Sequence, residues 1–320
     1  MIEKSKNLSA TEQNQTVAGE IGKTEQDIKG KILEFGVHMT NDGLSPKTVE
    51  SYTFLLTKLA HFSDLLNPES VKAAIVKMNS PQNTKATMKG AYGSFVKFLG
   101  LTWKAPKIEY QQKVPFIPCE KEIDDLIAGS GRKTSILLQL LKETGMRIGE
   151  ALRLKWIDIN SENNTITLNE PEKHGVSRMF RATPKLIGTL NGLPKKTERI
   201  FGKATVQHQL NTLQYNRIKL ARKLGNPRLL RITFHTLRHW KGTMEYHRTH
   251  DPWHVKQLLG HRSLKSTEIY INVEQAIFND SNSEFHVAVT STLKETAMLL
   301  EQGFEYIMDY GDKKLLRKRK

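Results

Sequence analysis

Residues 133–156, KTSILLQLLKETGMRIGEALRLKW, decide how the rest of the chain is read. Apolar residues recur at helical spacing up to Thr144-Gly145, which ends the helix, and Ile148, Ala151 and Leu152 resume the period at once. Arg147 stands in the break. An arginine at a rigid corner between two helices can offer its planar fork to a phosphate bidentately. Read alone, it serves equally well as a surface ion pair with Glu150 or Glu143.

Outward from this corner the helical period dominates. Upstream, EKEIDDLIAG reads as a helix, and 101–118, LTWKAPKIEYQQKVPFIP, breaks the period with three prolines and reads as a linker. Before it, Ser45-Pro46, Asn67-Pro68 and Ser80-Pro81 each place a capping side chain ahead of a proline suited to a first helical turn. With an earlier helix over about 24–39, these give a four-helix unit. Downstream, KWIDINSENNTITLNE reads as two short alternating strands and SRMFRAT as a third. Helices follow at about 206–224, 235–247, 251–260 and 266–278, and 285–320 reads strand, helix, strand, turn, strand. The expected fold class is mainly α with a small antiparallel sheet (α+β). The expected divisions are an arm over 1–23, a helical domain over 24–100, a linker over 101–118, a second domain over 119–280 and an appendix with a basic tail over 281–320.

Composition narrows the function. The 320 residues carry 49 Lys+Arg against 33 Asp+Glu, a net charge of +16, with 38% hydrophobic and 26% charged residues, as in an ordinary soluble protein. The single Cys119 rules out an internal disulfide and a cysteine-rich zinc module. No apolar run is long enough to span a bilayer, and MIEKSKNLSATEQNQ lacks a signal-peptide core, so a cytoplasmic location is expected. The charge is concentrated: residues 171–231 hold 14 Lys+Arg against Glu172 and Glu198 only, a net of +12 in 61 residues. Such a density favours a polyanionic partner, nucleic acid before anionic membrane. The closing KKLLRKRK is a second basic cluster.

Five further residues can carry chemistry. Lys173, in the turn PEKHGVSRMF, reads as a solvated loop lysine or as a mobile general acid folded over a reacting phosphate. His235 and Arg238 in HTLRHW are three apart on a helix, which sets a base and an anion clamp side by side, with Leu237 turned inward. In LGHRSLKSTEIYI, Gly260 permits a sharp helix end and leaves His261 as a donor. Nine residues on, Tyr270 reads as core, or as a nucleophile if a neighbour takes its proton. His235/His239 and His250/His254 have a spacing that can support zinc. However, HExxH is absent, acids are scarce nearby and positive charge opposes a cation, so no metal is expected. No GxxxxGK[ST] loop is present either.

Taken together, TGMRIGEALRLKW, HTLRHW and LLGHRSLKSTEIYI resemble the tyrosine recombinase (phage integrase) family, with its archaeal integrase-like or Xer-like members nearest. Arg147, Lys173, His235, Arg238, His261 and Tyr270 occur in the family's order, with Lys185 a weaker alternative for the lysine. The resemblance implies that 24–100 is a core-binding domain closing a two-domain DNA clamp with a catalytic domain. It implies cleavage in which Tyr270 attacks a phosphodiester, forms a 3′-phosphotyrosyl bond and releases a 5′-hydroxyl, with no ATP, cofactor or metal. Arg147, Arg238 and His261 would stabilise the charge, Lys173 would protonate the leaving oxygen, and His235 would assist proton removal from Tyr270.

Double-stranded DNA is the implied partner, held by Lys47, Lys85, Lys89, Arg178, Arg181, Lys195, Lys196, Arg217, Arg222 and Lys223. A homo-tetramer on a synapse of two duplexes, with a monomer allowed in free solution, and a nucleoid-associated location follow from the same resemblance, and membrane binding drops out. A type IB topoisomerase-like relaxing enzyme and a DNA-binding protein with a decayed active site are the alternatives. The longer C-terminal segment beyond Tyr270 departs from many relatives.

Overall fold

The computed structural model describes residues 27–173, 175–278 and 285–319. The arm expected over 1–23 lies outside them. The chain divides into two compact units between Lys113 and Val114.

The first unit holds a helix over 27–41 (α1), α2 (Pro46–Ala60), α3 (Pro68–Lys77) and α4 (Gln82–Phe98). Two of the three proline starts behave as expected. The Ser45 hydroxyl accepts from Thr48 N, and the Asn67 side chain accepts from Glu69 N and Ser70 N. The third slips by one residue: Pro81 itself occupies the cap position and Ser80 caps nothing. The core joins Phe35, Leu56, Leu59, Tyr92 and Phe95, with Phe35 and Phe95 edge to face at 5.4 Å.

The linker reading of 101–118 needs correction. Trp103 packs edge-on against Tyr92 at 4.8 Å, and Ile108 is buried in the same core. The Asn83 side chain donates to Gln111 O (2.9 Å) and accepts from Gln111 N (2.7 Å), while Lys89 donates to Ile108 O. The prolines keep the segment extended, yet its apolar side chains are free to be buried, each contributing on the order of 1.5–3 kcal/mol. Phe116 and Ile117 belong to the second unit, where they pack against its core.

The second unit begins with α5 (Glu120–Ala128), α6 (Arg132–Thr144) and α7 (Ile148–Arg153). A three-stranded antiparallel sheet follows in the order β1 (Ile159–Asn160), β2 (Thr165–Leu168), β3 (Arg178–Arg181), with Ile166 paired to Phe180 and both buried. Then come α8 (Pro184–Asn191), α9 (Val206–Leu224), α10 (Phe234–Thr249), α11 (Pro252–Leu259) and α12 (Glu268–Phe278). The core gathers Leu137, Leu140 and Leu141 of α6 with Leu237 and Trp240 of α10.

The C-terminal segment folds as β4 (Phe285–Thr290), α13 (Leu293–Glu301), β5 (Glu305–Tyr310) and β6 (Lys313–Arg319), in sheet order β4-β6-β5. The basic run is therefore no loose tail. Over Lys313–Arg319 it is the central strand, with Leu316 buried, Lys314 half-buried and Lys313, Arg317, Lys318 and Arg319 exposed. The architecture is α+β, mostly helical with small antiparallel sheets. Among the described residues no helix is long and apolar enough to cross a membrane.

Candidate active site

Helix α10 is the platform. The Thr233 hydroxyl accepts from Thr236 N (3.2 Å) and Thr236 Oγ1 accepts from Thr233 N (3.0 Å), so both ends of the first turn are capped reciprocally. Phe234, Leu237 and Trp240 point into the core. On other faces the helix carries His235, Arg238, His239 and Gly242.

Arg238 is only 2% exposed. Its Nη1 donates to Gly145 O at 2.8 Å and its Nη2 to Leu259 O at 2.6 Å. Those carbonyls sit at the C-terminal ends of α6 and α11, where unpaired carbonyls and the helix dipole favour a cation. Both helices stop at a glycine in the left-handed region, Gly145 at φ +65° and Gly260 at φ +66°. Burial, then the charge of Arg147, lowers the Arg238 pKa to about 10, so the guanidinium stays charged at neutral pH.

Glu150, fully buried, ties the corner together. It accepts from Arg178 Nη2 (2.8 Å), Arg147 Nη1 (3.0 Å), Arg147 N (2.9 Å) and Glu172 N (3.1 Å). Burial pushes its carboxyl up, but Arg178, these backbone donors and Arg147 together hold it below the ordinary carboxylate range. Arg178, expected as a DNA contact, is instead taken up by the fold. Its side chain is 6% exposed and also donates to Leu258 O (3.1 Å) and Val176 O (3.1 Å). Arg147 makes the ion pair with Glu150 that the sequence allowed, though with a buried carboxylate, and its charge also acts on Arg238.

Lys173 lies in the loop between β2 and β3, exposed, with φ +54°. The loop is moored beside it, because Glu172 Oε1 accepts from Arg153 Nη1 (2.9 Å) and Arg147 Nη1 donates to Glu172 O (3.4 Å). Its ammonium is close enough to His235 to disfavour protonation there. Burial of the ring first, then Arg238, Lys173 and Arg147, push His235 down to about 4, while the residue as a whole keeps some exposure to solvent.

Tyr270, on α12, is 2% exposed and packs with Val255 and Leu259. Two imidazoles flank its ring: His261 lies parallel at 6.2 Å and His239 tilted at 5.8 Å. Nδ1 of His261 shares a hydrogen bond with Thr267 Oγ1 (3.0 Å), and burial followed by Arg238 and Arg147 lowers its pKa to about 3. Gly242 makes the approach of α12 possible, since a Cβ there would lie 2.8 Å from Tyr270 Cζ. Burial raises the Tyr270 pKa to about 12, against the pull of Arg238 and Arg147. His247 of α10 fastens α12 further on, bonded to Glu274 (2.8 Å) and stacked on Phe278 at 3.8 Å.

The structure therefore brings Arg147, His235, Arg238, His261 and Tyr270 together, with Lys173 at the rim. Of the phosphate-contact candidates, Lys47, Arg181, Lys195, Lys196, Arg222 and Lys223 are exposed. Others are engaged by the fold: Lys85 donates to Val76 O (2.8 Å), Lys89 to Ile108 O and Arg217 to Ile232 O (2.9 Å). Sequence reasoning missed Glu150 as the knot, Glu172 as the mooring and His239 as a neighbour of Tyr270. Spacing did hold a signal for the last, since His239 lies one helical turn beyond His235.

Fold and site define a helical domain in which a buried tyrosine faces two fixed arginines among neutral imidazoles. Residues 119–276 match the phage integrase family, and the chain belongs to this tyrosine recombinase family. It is 24% identical over 263 residues to tyrosine recombinase XerA of Pyrococcus furiosus, covering 78% of this chain and 92% of the relative. To tyrosine recombinase XerA of Pyrococcus horikoshii it is 26% identical over 263 residues, covering 78% and 91%. Among solved structures, the Tn1549 transposon integrase in complex with transposon right end DNA matches with a TM-score of 0.59 at 15% identity, over 77% of this chain and 98% of that one. That likeness shows a shared fold.

Proposed function

We propose that this protein is a site-specific DNA recombinase that cuts and rejoins duplex strands through a covalent bond to Tyr270. The observation that carries the reading is the placement of a buried tyrosine against Arg238 and Arg147, whose charges act on its phenol. A phenol that ionises only near 12 is a poor nucleophile by itself, and the chemistry must lower that barrier. Tyr270 Oη attacks the phosphorus, the bond to the 5′ oxygen breaks, and a 3′-phosphotyrosyl bond stores the linkage for religation. Arg147 and Arg238 face the nonbridging oxygens, where charge develops, and His261 adds a donor. Lys173 protonates the departing 5′ oxygen. The phenolic proton leaves to the neutral imidazoles of α10.

The exposed cations Arg181, Lys195, Lys196, Arg222 and Lys223 hold the duplex, and the helical domain over 24–100 contributes a second contact surface through Lys47. Four copies on two duplexes would complete an exchange in the cytoplasm, on the nucleoid. The test is a nicked suicide duplex bearing the site that the protein selects from a random-sequence pool. A denaturation-resistant protein–DNA adduct supports the reading; no adduct on a site bound tightly overturns it.

A further inference from the structure

His239 has no assigned role, yet it occupies the position that the chemistry of Tyr270 leaves open. We propose that His239 is the group that accepts the phenolic proton of Tyr270 during strand cleavage and passes a proton on to His235. This deepens the strand-transfer reading and rests on it.

Geometry is the first ground. Along α10 the rings form a chain: His235 and His239 meet edge to face with centroids 4.5 Å apart, and His239 meets Tyr270 at 5.8 Å. Contact with the tyrosine ring comes from His239 and from His261, whose Nδ1 is already engaged with Thr267. His235, the more exposed of the two, stands one step farther along the chain. It is therefore placed to exchange protons with water, while His239 lies at the buried end.

The second ground is an unanswered polar atom. Nδ1 of His239 is buried with no hydrogen-bond partner among the described residues, and so is Thr243 Oγ1 one turn on. Leaving a buried polar atom without a partner is costly, and native folds retain few of them. An imidazole that served only as packing against Tyr270 could be a phenylalanine and avoid that cost. An imidazole that packs on the tyrosine ring and keeps a ring nitrogen unpartnered has the capacity that a proton acceptor requires. The protonation state agrees: burial, then His235 and Arg238, keep His239 neutral down to about 4.

The step balances. The Tyr270 O–H bond breaks as Oη bonds to phosphorus, and the proton goes to His239. The P–O5′ bond breaks, and Lys173 supplies the proton that the 5′ oxygen takes. The imidazolium formed beside Arg238 is disfavoured there, so a proton moves outward to His235 and to water. On religation the same path returns a proton to the phenol.

The test uses the full chain, a nicked suicide duplex, and the variants His239→Phe and His239→Gln beside Lys173→Ala. Phe keeps the ring packing without an acceptor; Gln keeps polarity but cannot take a proton. Both should bind the duplex like the wild type and form the adduct about 10²–10⁴-fold more slowly, the usual range for a lost proton-transfer group. A bridging 5′-phosphorothiolate, whose leaving group needs no proton, should restore Lys173→Ala and leave both His239 variants slow. If Phe disturbs the fold and duplex binding is lost, Gln decides. Wild-type rates in a variant that binds, or restoration of a His239 variant by the phosphorothiolate, overturn the assignment. A wild type that forms no adduct overturns the strand-transfer reading itself, which is a separate and recognisable result.

Discussion

The second unit carries two populations of cations that obey different rules. Arg238 and Arg178 are withdrawn from water and pinned, the first to two helix-end carbonyls and the second to Glu150 and two carbonyls. Arg181, Lys195, Lys196, Arg222 and Lys223 are exposed on the surface. Most of the +12 in residues 171–231 therefore says nothing about catalysis. Pinned cations are preorganised for charge that develops in a transition state and need no reorganisation when it appears. Exposed cations that meet a duplex act by neutralising phosphates and releasing counterions, which sets affinity and its salt dependence. Changes to the first population should alter rate and stability at unchanged salt response; changes to the second should do the reverse.

The largest effect belongs to the group that the pinned cations face. Tyr270→Phe keeps the ring against Gly242, His239 and Leu259 and removes only the hydroxyl. Adduct formation on the suicide duplex should vanish on a denaturing gel while band-shift affinity stays within about twofold. Arg238→Ala comes next: loss of one such electrostatic donor lowers cleavage on the order of 10²–10³-fold. Gly145 O and Leu259 O lose their donor at the same time, so the urea midpoint should fall too. Arg238→Lys separates the two effects, because an ammonium cannot span both carbonyls as the planar fork does.

Glu150 tests the same idea from the acidic side. Glu150→Gln leaves two guanidinium groups in the corner without their countercharge, a loss of about 3–5 kcal/mol in urea unfolding by analogy with other broken buried pairs. Glu150→Met with Arg178→Met should recover much of it, since the buried charge leaves with its partner. An unchanged midpoint in Glu150→Gln would mean that the arginines hold their places without the knot.

The imidazoles add a pH dependence whose sign is fixed. His239 and His261 have folded pKa values of about 4 and about 3, below the ordinary 6.5, so the unfolded chain binds more protons between those limits. The stability they contribute is complete above pH 6.5 and declines as pH falls toward 4 and then 3. The slope is at most about 1.4 kcal/mol per pH unit for each ring. A His239→Gln/His261→Asn variant should show a shallower decline than the wild type across that window. Equal slopes would sink the prediction.

How much of this is legible in the sequence follows from what kind of information each feature uses. Periodicity and caps are local, so α6, α10 and α12, the break at Gly145 and the inward turn of Leu237 can be read directly. The order of Arg147, His235, Arg238, His261 and Tyr270 is visible only through the resemblance of their motifs to the recombinase family. Glu150 with Arg178 is not, because an ion pair 28 residues apart depends on where β3 passes the α6–α7 corner. In sequence, Arg178 is one of fourteen like charges. Trp103 and Ile108 are hidden behind prolines that truly forbid a helix but do not forbid burial. His239 is in view only as half of a candidate zinc pair; its relation to Tyr270 appears once Gly242 lets α12 come close.

The smallest effect is the most discriminating for the two populations. Lys195 and Lys196 are exposed side by side, and the Lys195 ammonium lies 5.1 Å above the Trp156 ring. If each meets one phosphate, Lys195→Ser/Lys196→Ser should lower the slope of log affinity against log salt by about 0.9 for each phosphate no longer neutralised. At low salt the affinity should fall only severalfold, and single-turnover cleavage at saturating protein should keep its wild-type rate. Filter binding over a series of salt concentrations and quench-flow on the suicide duplex measure the two quantities independently. A drop in the saturated rate would mean that these lysines position the scissile phosphate as well as holding the duplex. The boundary between fixed catalytic charge and mobile binding charge would then have to move outward from Arg147 and Arg238 to include the surface.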